Sequence, residues 1–236
     1  MKKKRYKCFF IIFGAFLVLG VSFKVMTLIE GLTEVRPVNA IPPVAGLLCG
    51  PTGAAACGIA NLFADLAGTI SFASMLGVNG NFMAAWIPYR LWYLYTGEEP
   101  NLHSGKNILR YCLVCTVSAM SVAWILSFGL YALEGTWIRQ IYSYVFFNNQ
   151  GFSIGLGMPV LIMLTSDSVK FKCCGAPERY RFLKGAGGRK IILAVYGGCM
   201  AMLWFAVLIR NQSPEQNPWM AVVSAVAAAG LIIFWV

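Results

Sequence analysis

"LTEVRPVNAIPPVAGLLCGPTGAAACGIANLFADLAG", residues 32–68, places Glu34, Arg36, Asn39, Asn61 and Asp65 in a chain that is otherwise strongly apolar. The same stretch carries Pro37, Pro42, Pro43 and Pro51 with Gly46, Gly50, Gly53 and Gly58, so charge and helix breakers coincide. At a rise of about 1.5 Å per residue, its apolar piece 41–49 is too short to cross a hydrocarbon core of roughly 30 Å. Lipid satisfies no backbone group, so such a segment is stable in a membrane only among neighbouring helices or along a wet cavity. The stretch therefore predicts a short helix buried in a bundle, a turn at "CGPTG", and a short small-residue helix over 54–68.

The rest of the chain agrees with a membrane setting. Of 236 residues, 58% are hydrophobic and 12% charged, more apolar surface than a water-soluble domain of this size hides. The aromatic share of 14% suits a protein with two membrane interfaces, where Trp and Tyr concentrate. A formal charge of +10 would suit nucleic-acid binding if the basic residues formed a patch, but they fall in short segments between apolar runs, so no nucleic-acid partner is expected. Eight cysteines in a long apolar chain do not read as a disulfide framework, and Cys8, Cys49, Cys57 and Cys199 read as small buried hydrophobes.

Spans are expected at 9–29, 41–49, 54–68, 79–95 with Pro88 inside, 108–133, 151–166 with Pro159 inside, 191–209 and 219–236, and a loop at 69–78. "MKKKRYK" followed by the first span reads as an uncleaved helix, since the apolar run exceeds a signal core and further spans follow. Counting 41–49 as a crossing and placing the N-terminus inside puts Lys2, Lys3, Lys4, Arg5, Lys7, Arg90, Lys106, Arg110 and the basic run from Lys170 to Lys190 on the inner side. Only Arg36, Arg139 and Arg210 then fall in outer connections. That asymmetry is the positive-inside bias, and it predicts eight crossings with both termini cytoplasmic.

In this topology Glu34, Arg36 and Asn39 descend from an outer loop, Asp65 ends the returning helix, and Asn79 and Asn81 start the next helix on the same side. Membrane-embedded ionisable groups are costly unless paired or hydrated, so their convergence marks a candidate solute site open to the outside, with Glu30 beside it. A structural alternative stands beside it: Arg36 pairs with Glu34 or Asp65 to lock a loop, and Asn81 caps a helix. The glycines and alanines of 46–64 predict surfaces on which another helix packs or slides closely.

The run "VRPVNAIPPVAGLLCGPTGAAACGIANLFADLAG", followed by "GNFMAAWIPYRLW", resembles the membrane-embedded substrate-binding (S) component of energy-coupling factor transporters. The resemblance covers roughly residues 9–168 and implies a six-helix bundle over 1–170, a basic cytoplasmic loop over 171–190, and an additional transmembrane pair over 191–236. It implies an all-α, multi-pass protein of a bacterial plasma membrane that binds a vitamin or similar water-soluble micronutrient under the loop after the first helix. Uptake would be energised by a transmembrane coupling subunit and two ATPase subunits, with no cofactor of its own. Family members dock on the coupling subunit through Ala-xxx-Ala spacings on the first helices; here Ala56, Ala60 and Ala64 carry that spacing, in the third. The added C-terminal pair leaves a solitary transporter open as an alternative.

No Walker A motif is present, so ATP energy would come from another polypeptide, and the chain is not expected to be an enzyme. The strongest enzyme-like signal is Cys112 and Cys115 in "YCLVC", a thiol pair near the inner end of a span, with Cys173 and Cys174 on the same side. A thiol oxidoreductase and a structural or regulatory membrane protein are therefore the competing classes. His103, the single histidine, sits in the polar segment "TGEEPNLHSGKN" and reads as surface loop. With single cysteines introduced into a cysteine-free chain, an impermeant reagent applied to intact cells should label Ser213→Cys and spare Ala176→Cys. Labelling at Ala176→Cys would invert the topology.

Overall fold

The structure, a computed structural model, describes residues 2–23, 27–29, 33–67, 70, 72–96, 98–169 and 186–235. Helix α1 (Lys2–Ser22) leads into a two-stranded antiparallel ribbon, β1 (Thr27–Ile29) and β2 (Thr33–Glu34), in which Thr27 faces Glu34. A 3-10 turn (Pro37–Ala40) opens α2 (Ile41–Cys49), and α3 (Pro51–Leu66) returns beside it. Next come α4 (Phe72–Thr96), α5 (Gly105–Glu134), and α6 (Arg139–Phe152), which passes through a π turn (Ser153–Gly157) into α7 (Met158–Thr165) as one continuous rod. The last pair is α8 (Ala186–Trp204), extended by a π turn to Ile209, and α9 (Trp219–Trp235).

Among the described residues this is an all-α fold of eight helical rods, six in a first group and two in a C-terminal unit. The segments Lys3–Ser22, Gly105–Glu134 and Ile191–Ile209 are each long and apolar enough to cross a bilayer. Large apolar side chains such as Phe10 and Val18 on α1, Leu113 on α5 and Ile191 on α8 stand more than half exposed, which lipid tolerates and water does not. The chain is a multi-pass membrane protein.

Short α2 holds the centre. Every residue from Pro42 to Cys49 is buried, against α4 on one side and α3 on the other. Two glycines permit this: a Cβ on Gly46 would overlap the Ala85 carbonyl of α4, and one on Gly53 would overlap the Ala45 carbonyl of α2. Backbone against backbone is how membrane helices gain contact when no hydrophobic force separates helix from lipid. The reversal between α2 and α3 needs Gly50, whose φ of 54° lies in a region open chiefly to glycine, and Pro51 starts α3 where its missing N–H costs nothing.

One apolar cluster joins α1–α4 around Phe16, Leu47, Cys57 and Trp92; another joins α4, α5 and α6 to α8 and α9 around Trp124, Tyr142, Leu203 and Met220. The C-terminal pair is thus packed into the bundle. Polar ties reinforce it: the Ser121 and Tyr196 hydroxyls lie 2.7 Å apart, and Arg139 donates to the Val207 and Leu208 carbonyls at 3.1 and 2.9 Å. Those carbonyls end a helix, where a cation is favoured.

Several boundaries differ from the sequence expectation. Helix α1 stops at Ser22, and residues 27–29 form a strand. The expected loop at 69–78 is largely the first two turns of α4, which must start at Phe72 for Gly77 to reach α3. The rod expected at 151–166 begins at Arg139, because the polar Asn148, Asn149 and Gln150 are buried or half-buried inside the bundle. The small-residue surface is already occupied: Ala56 and Ala60 are 0% exposed and Ala64 1%, on the side of α3 that packs within the bundle, and the outward side carries Ile59, Phe63 and Leu66. A partner docking on this chain meets another surface.

Gly46→Val should lower the melting temperature of the detergent-solubilised protein by several degrees, since overpacking costs about 1–3 kcal/mol and here the obstacle is backbone. Gly14→Ala, where a Cβ meets nothing within 4 Å, should leave it unchanged. Equal effects at both positions would remove the close approach from the account.

Candidate functional site

The start of α2, the end of α3, the first turns of α4 and the middle of α6 meet around Arg36. Its Nη2 lies 3.8 Å from Asp65 Oδ1, with the two side chains 26% and 15% exposed. One turn back on α3, Asn61 donates from Nδ2 to Asp65 Oδ2 at 3.0 Å. Asn61 is 1% exposed, and its Oδ1 is buried without a hydrogen-bond partner among the described residues. The Arg36 backbone N–H points to Asn148 Oδ1 at 3.4 Å, which brings α6 to the cluster. Gly77 of α4 forms the floor beside Asn61: a Cβ there would stand 2.8 Å from Asn61 Nδ2 and 3.5 Å from Asp65 Oδ2.

Helix lengths set the depth. Asn148 lies about 13 Å along α6 from Arg139 at the helical rise, and α3, of 16 residues, reaches only about 24 Å. The pair therefore lies well along the rod that α6 begins and not at its first turn, and inside a membrane a charge needs a partner or water. Below it the contacts turn structural. Ser153 Oγ donates to the Asn39 carbonyl at 3.3 Å, and the Tyr111 hydroxyl donates to the Ser153 carbonyl at 2.8 Å. The π turn that supplies these groups frees backbone that an α-helix would hold in its own ladder.

Of the residues expected at the site, Arg36 and Asp65 come together. Asn39 is buried at 5% and takes part through its backbone, its N–H donating to the Arg36 carbonyl at 2.9 Å. Asn81, 8% exposed, donates to the Gly77 carbonyl of its own helix at 3.0 Å, one turn beyond the cluster and well inside α4, so it does not cap a helix start. Asn79 is exposed and is not brought to the pair. Glu34 lies in β2, and nothing is described of its side chain; Glu30 lies outside the described residues.

Sequence reasoning missed Asn61 and Asn148. Asn61 stands four residues before Asp65 on one helix, a spacing that puts two side chains on one face. Asn148 belongs to "FFNNQGF", a polar step in an apolar rod, which is itself a flag inside a membrane. Cys112 and Cys115 sit one turn apart on α5 as free thiols, Cys115 buried, and Cys173 and Cys174 lie outside the described residues. His103 is exposed, its backbone N–H donating to Asn101 Oδ1 at 3.3 Å.

Fold and cluster together define a multi-pass α-helical membrane protein with a part-buried ion pair between its helices. The chain matches no family model, no curated protein and no solved structure.

Gly77→Ala should press on Asn61 and weaken its bond to Asp65, lowering stability by about 1–2 kcal/mol in chemical or thermal unfolding. In an Asn61→Ala background the same substitution should cost markedly less, because the group it strikes is gone. Additive losses would mean that Gly77 and Asn61 do not touch.

Proposed function

We propose that this chain is the membrane-embedded binding component of an uptake system for a small water-soluble micronutrient, such as a vitamin or its precursor, captured at the face where Arg36 and Asp65 lie. The observation that carries the proposal is the cluster itself. A guanidinium and a carboxylate meet 3.8 Å apart beside an amide whose oxygen has no hydrogen-bond partner among the described residues. Such a set holds both donors and acceptors, and a small number of placed polar groups is what small-molecule sites use for orientation.

Energy for accumulation would come from separate polypeptides, a transmembrane coupling subunit and two ATPases, because the sequence carries no phosphate-binding loop. Residues 1–170 would form the binding unit, the basic segment 171–190 would lie in the cytoplasm, and 191–236 would brace the bundle. Docking through Ala56, Ala60 and Ala64 is closed by their burial, so a coupling subunit would meet a lipid-exposed face instead. A second possibility has an observation of its own: Arg36 and Asp65 at 3.8 Å, with Asn61 on the other carboxylate oxygen, also suit a lock that fixes the hairpin in a structural membrane protein.

Gentle purification followed by mass spectrometry of released small molecules separates the two. A co-purifying micronutrient whose affinity falls roughly tenfold or more in Arg36→Ala is the expected result, as loss of a buried polar contact costs about 1–3 kcal/mol. Cys112→Ser with Cys115→Ser should leave that affinity unchanged. An empty site that also ignores a vitamin panel, with growth on scarce vitamins unaffected by Arg36→Ala and Asp65→Ala, would favour the lock.

A further inference from the structure

A second binding place lies on the opposite half of the bundle. Helices α4, α5 and α8 leave between them a half-open groove of about 230 Å³. Leu113, Val117, Leu193 and Gly197 line its length, and Tyr95 and Arg110 stand at one end. The volume falls short of the roughly 300–1,000 Å³ typical of sites that enclose a small molecule. From Arg110 to Val117 the groove runs about 10 Å along α5 at the helical rise. It has the shape of a slot for part of one chain.

Its polar groups narrow the occupant. Trp92 Nε1 already donates to the Glu98 carbonyl at 3.1 Å, and the Thr96 hydroxyl to the Trp92 carbonyl at 3.0 Å. Arg110 differs. Its guanidinium sits over the Tyr95 ring at 5.2 Å and donates once, from Nη1 to Asn107 Oδ1 at 2.8 Å. Its Nε is buried without a hydrogen-bond partner, and among the described residues it makes no ion pair with a carboxylate. The Tyr95 ring lies within cation–π distance of the guanidinium, whose planar set of N–H donors suits phosphate oxygens.

Lys106, exposed one turn earlier on α5, carries the same sign of charge. Arg110 lies in the second turn of α5, near the helix N-terminus, which adds a partial positive charge. Tyr95, 58% exposed near the end of α4, is placed as an interfacial aromatic.

From this juxtaposition we propose that the α4–α5–α8 groove is a site for an anionic phospholipid, its phosphate on Arg110 and an upper stretch of one acyl chain along Leu113, Val117, Leu193 and Gly197. An anionic head complements Arg110, and the apolar slot behind it suits a tail, which a free phosphate lacks. The lipid would seal the seam between the first six helices and the C-terminal pair. It is independent of the solute site at Arg36.

The test is native mass spectrometry of the full chain, titrated in mild detergent with phosphatidylglycerol, with phosphatidylcholine of the same acyl chains, or with inorganic phosphate. Wild type should retain one phosphatidylglycerol with a clear preference over phosphatidylcholine, and inorganic phosphate should neither bind comparably nor displace it. Arg110→Gln should weaken phosphatidylglycerol by roughly fivefold to tenfold and leave phosphatidylcholine unaffected, since a basic residue at a membrane surface contributes about 1 kcal/mol and a buried phosphate contact more. Gly197→Leu keeps Arg110 and fills the slot, and because a Cβ there meets nothing within 4 Å the protein itself should still fold. It too should lose the lipid. Equal retention of both lipids by wild type, undiminished phosphatidylglycerol on Gly197→Leu, or displacement by inorganic phosphate would each overturn the proposal.

Discussion

The contact between Gly46 of α2 and the Ala85 carbonyl of α4 holds the arrangement together. A helix of nine residues has too little surface to stay in a bundle by side-chain packing alone, and lipid offers no hydrophobic drive to keep it there. Close backbone approach at Gly46, repeated between Gly53 and the Ala45 carbonyl, supplies the dispersion contacts that fix it. Once α2 is central, its return through Gly50 sets the course of α3. The hairpin is then shorter than the rods around it, and its charged end lies against Gly77 of α4 and Asn148 of α6.

Arg36 and Asp65 sit at that end because their helices begin and stop there. Bringing two charges below a membrane face is expensive, and their mutual attraction offsets part of the cost only with further hydrogen bonds. Asn61 provides one to the carboxylate, while its own oxygen has no partner among the described residues. A cluster built only for stability would be expected to close that account, and a cluster that awaits a polar solute has a use for the spare acceptor. The C-terminal pair stands apart from this chemistry: Arg139 on the α8 carbonyls and the Ser121–Tyr196 contact brace the far side of the bundle.

The helical, membrane-embedded class was legible in composition, and the buried short helix in Pro42, Pro43 and Gly50. Arg36 and Asp65 were legible as charges without an aqueous reason to be there. Asn79 and Asn81 misled because a helix start was placed at them; α4 begins a full two turns earlier, which turns Asn79 outward and gives Asn81 to its own backbone. Asn148 stayed hidden for the converse reason, as the polar "NNQ" resembled a loop and is a helix interior. The small-residue stripe was visible, but spacing alone does not say whether the helix that covers it belongs to the same chain. Here it does.

The proposed site requires that the Arg36–Asp65 cluster be reached by water from one membrane face. In a cysteine-free chain, Asp65→Cys, and Asn148→Cys with the ion pair kept, should react with a small impermeant methanethiosulfonate applied from outside intact cells, and more slowly with a bulky maleimide. Complete protection of both cysteines in folded protein would mean a sealed lock, and would contradict the account.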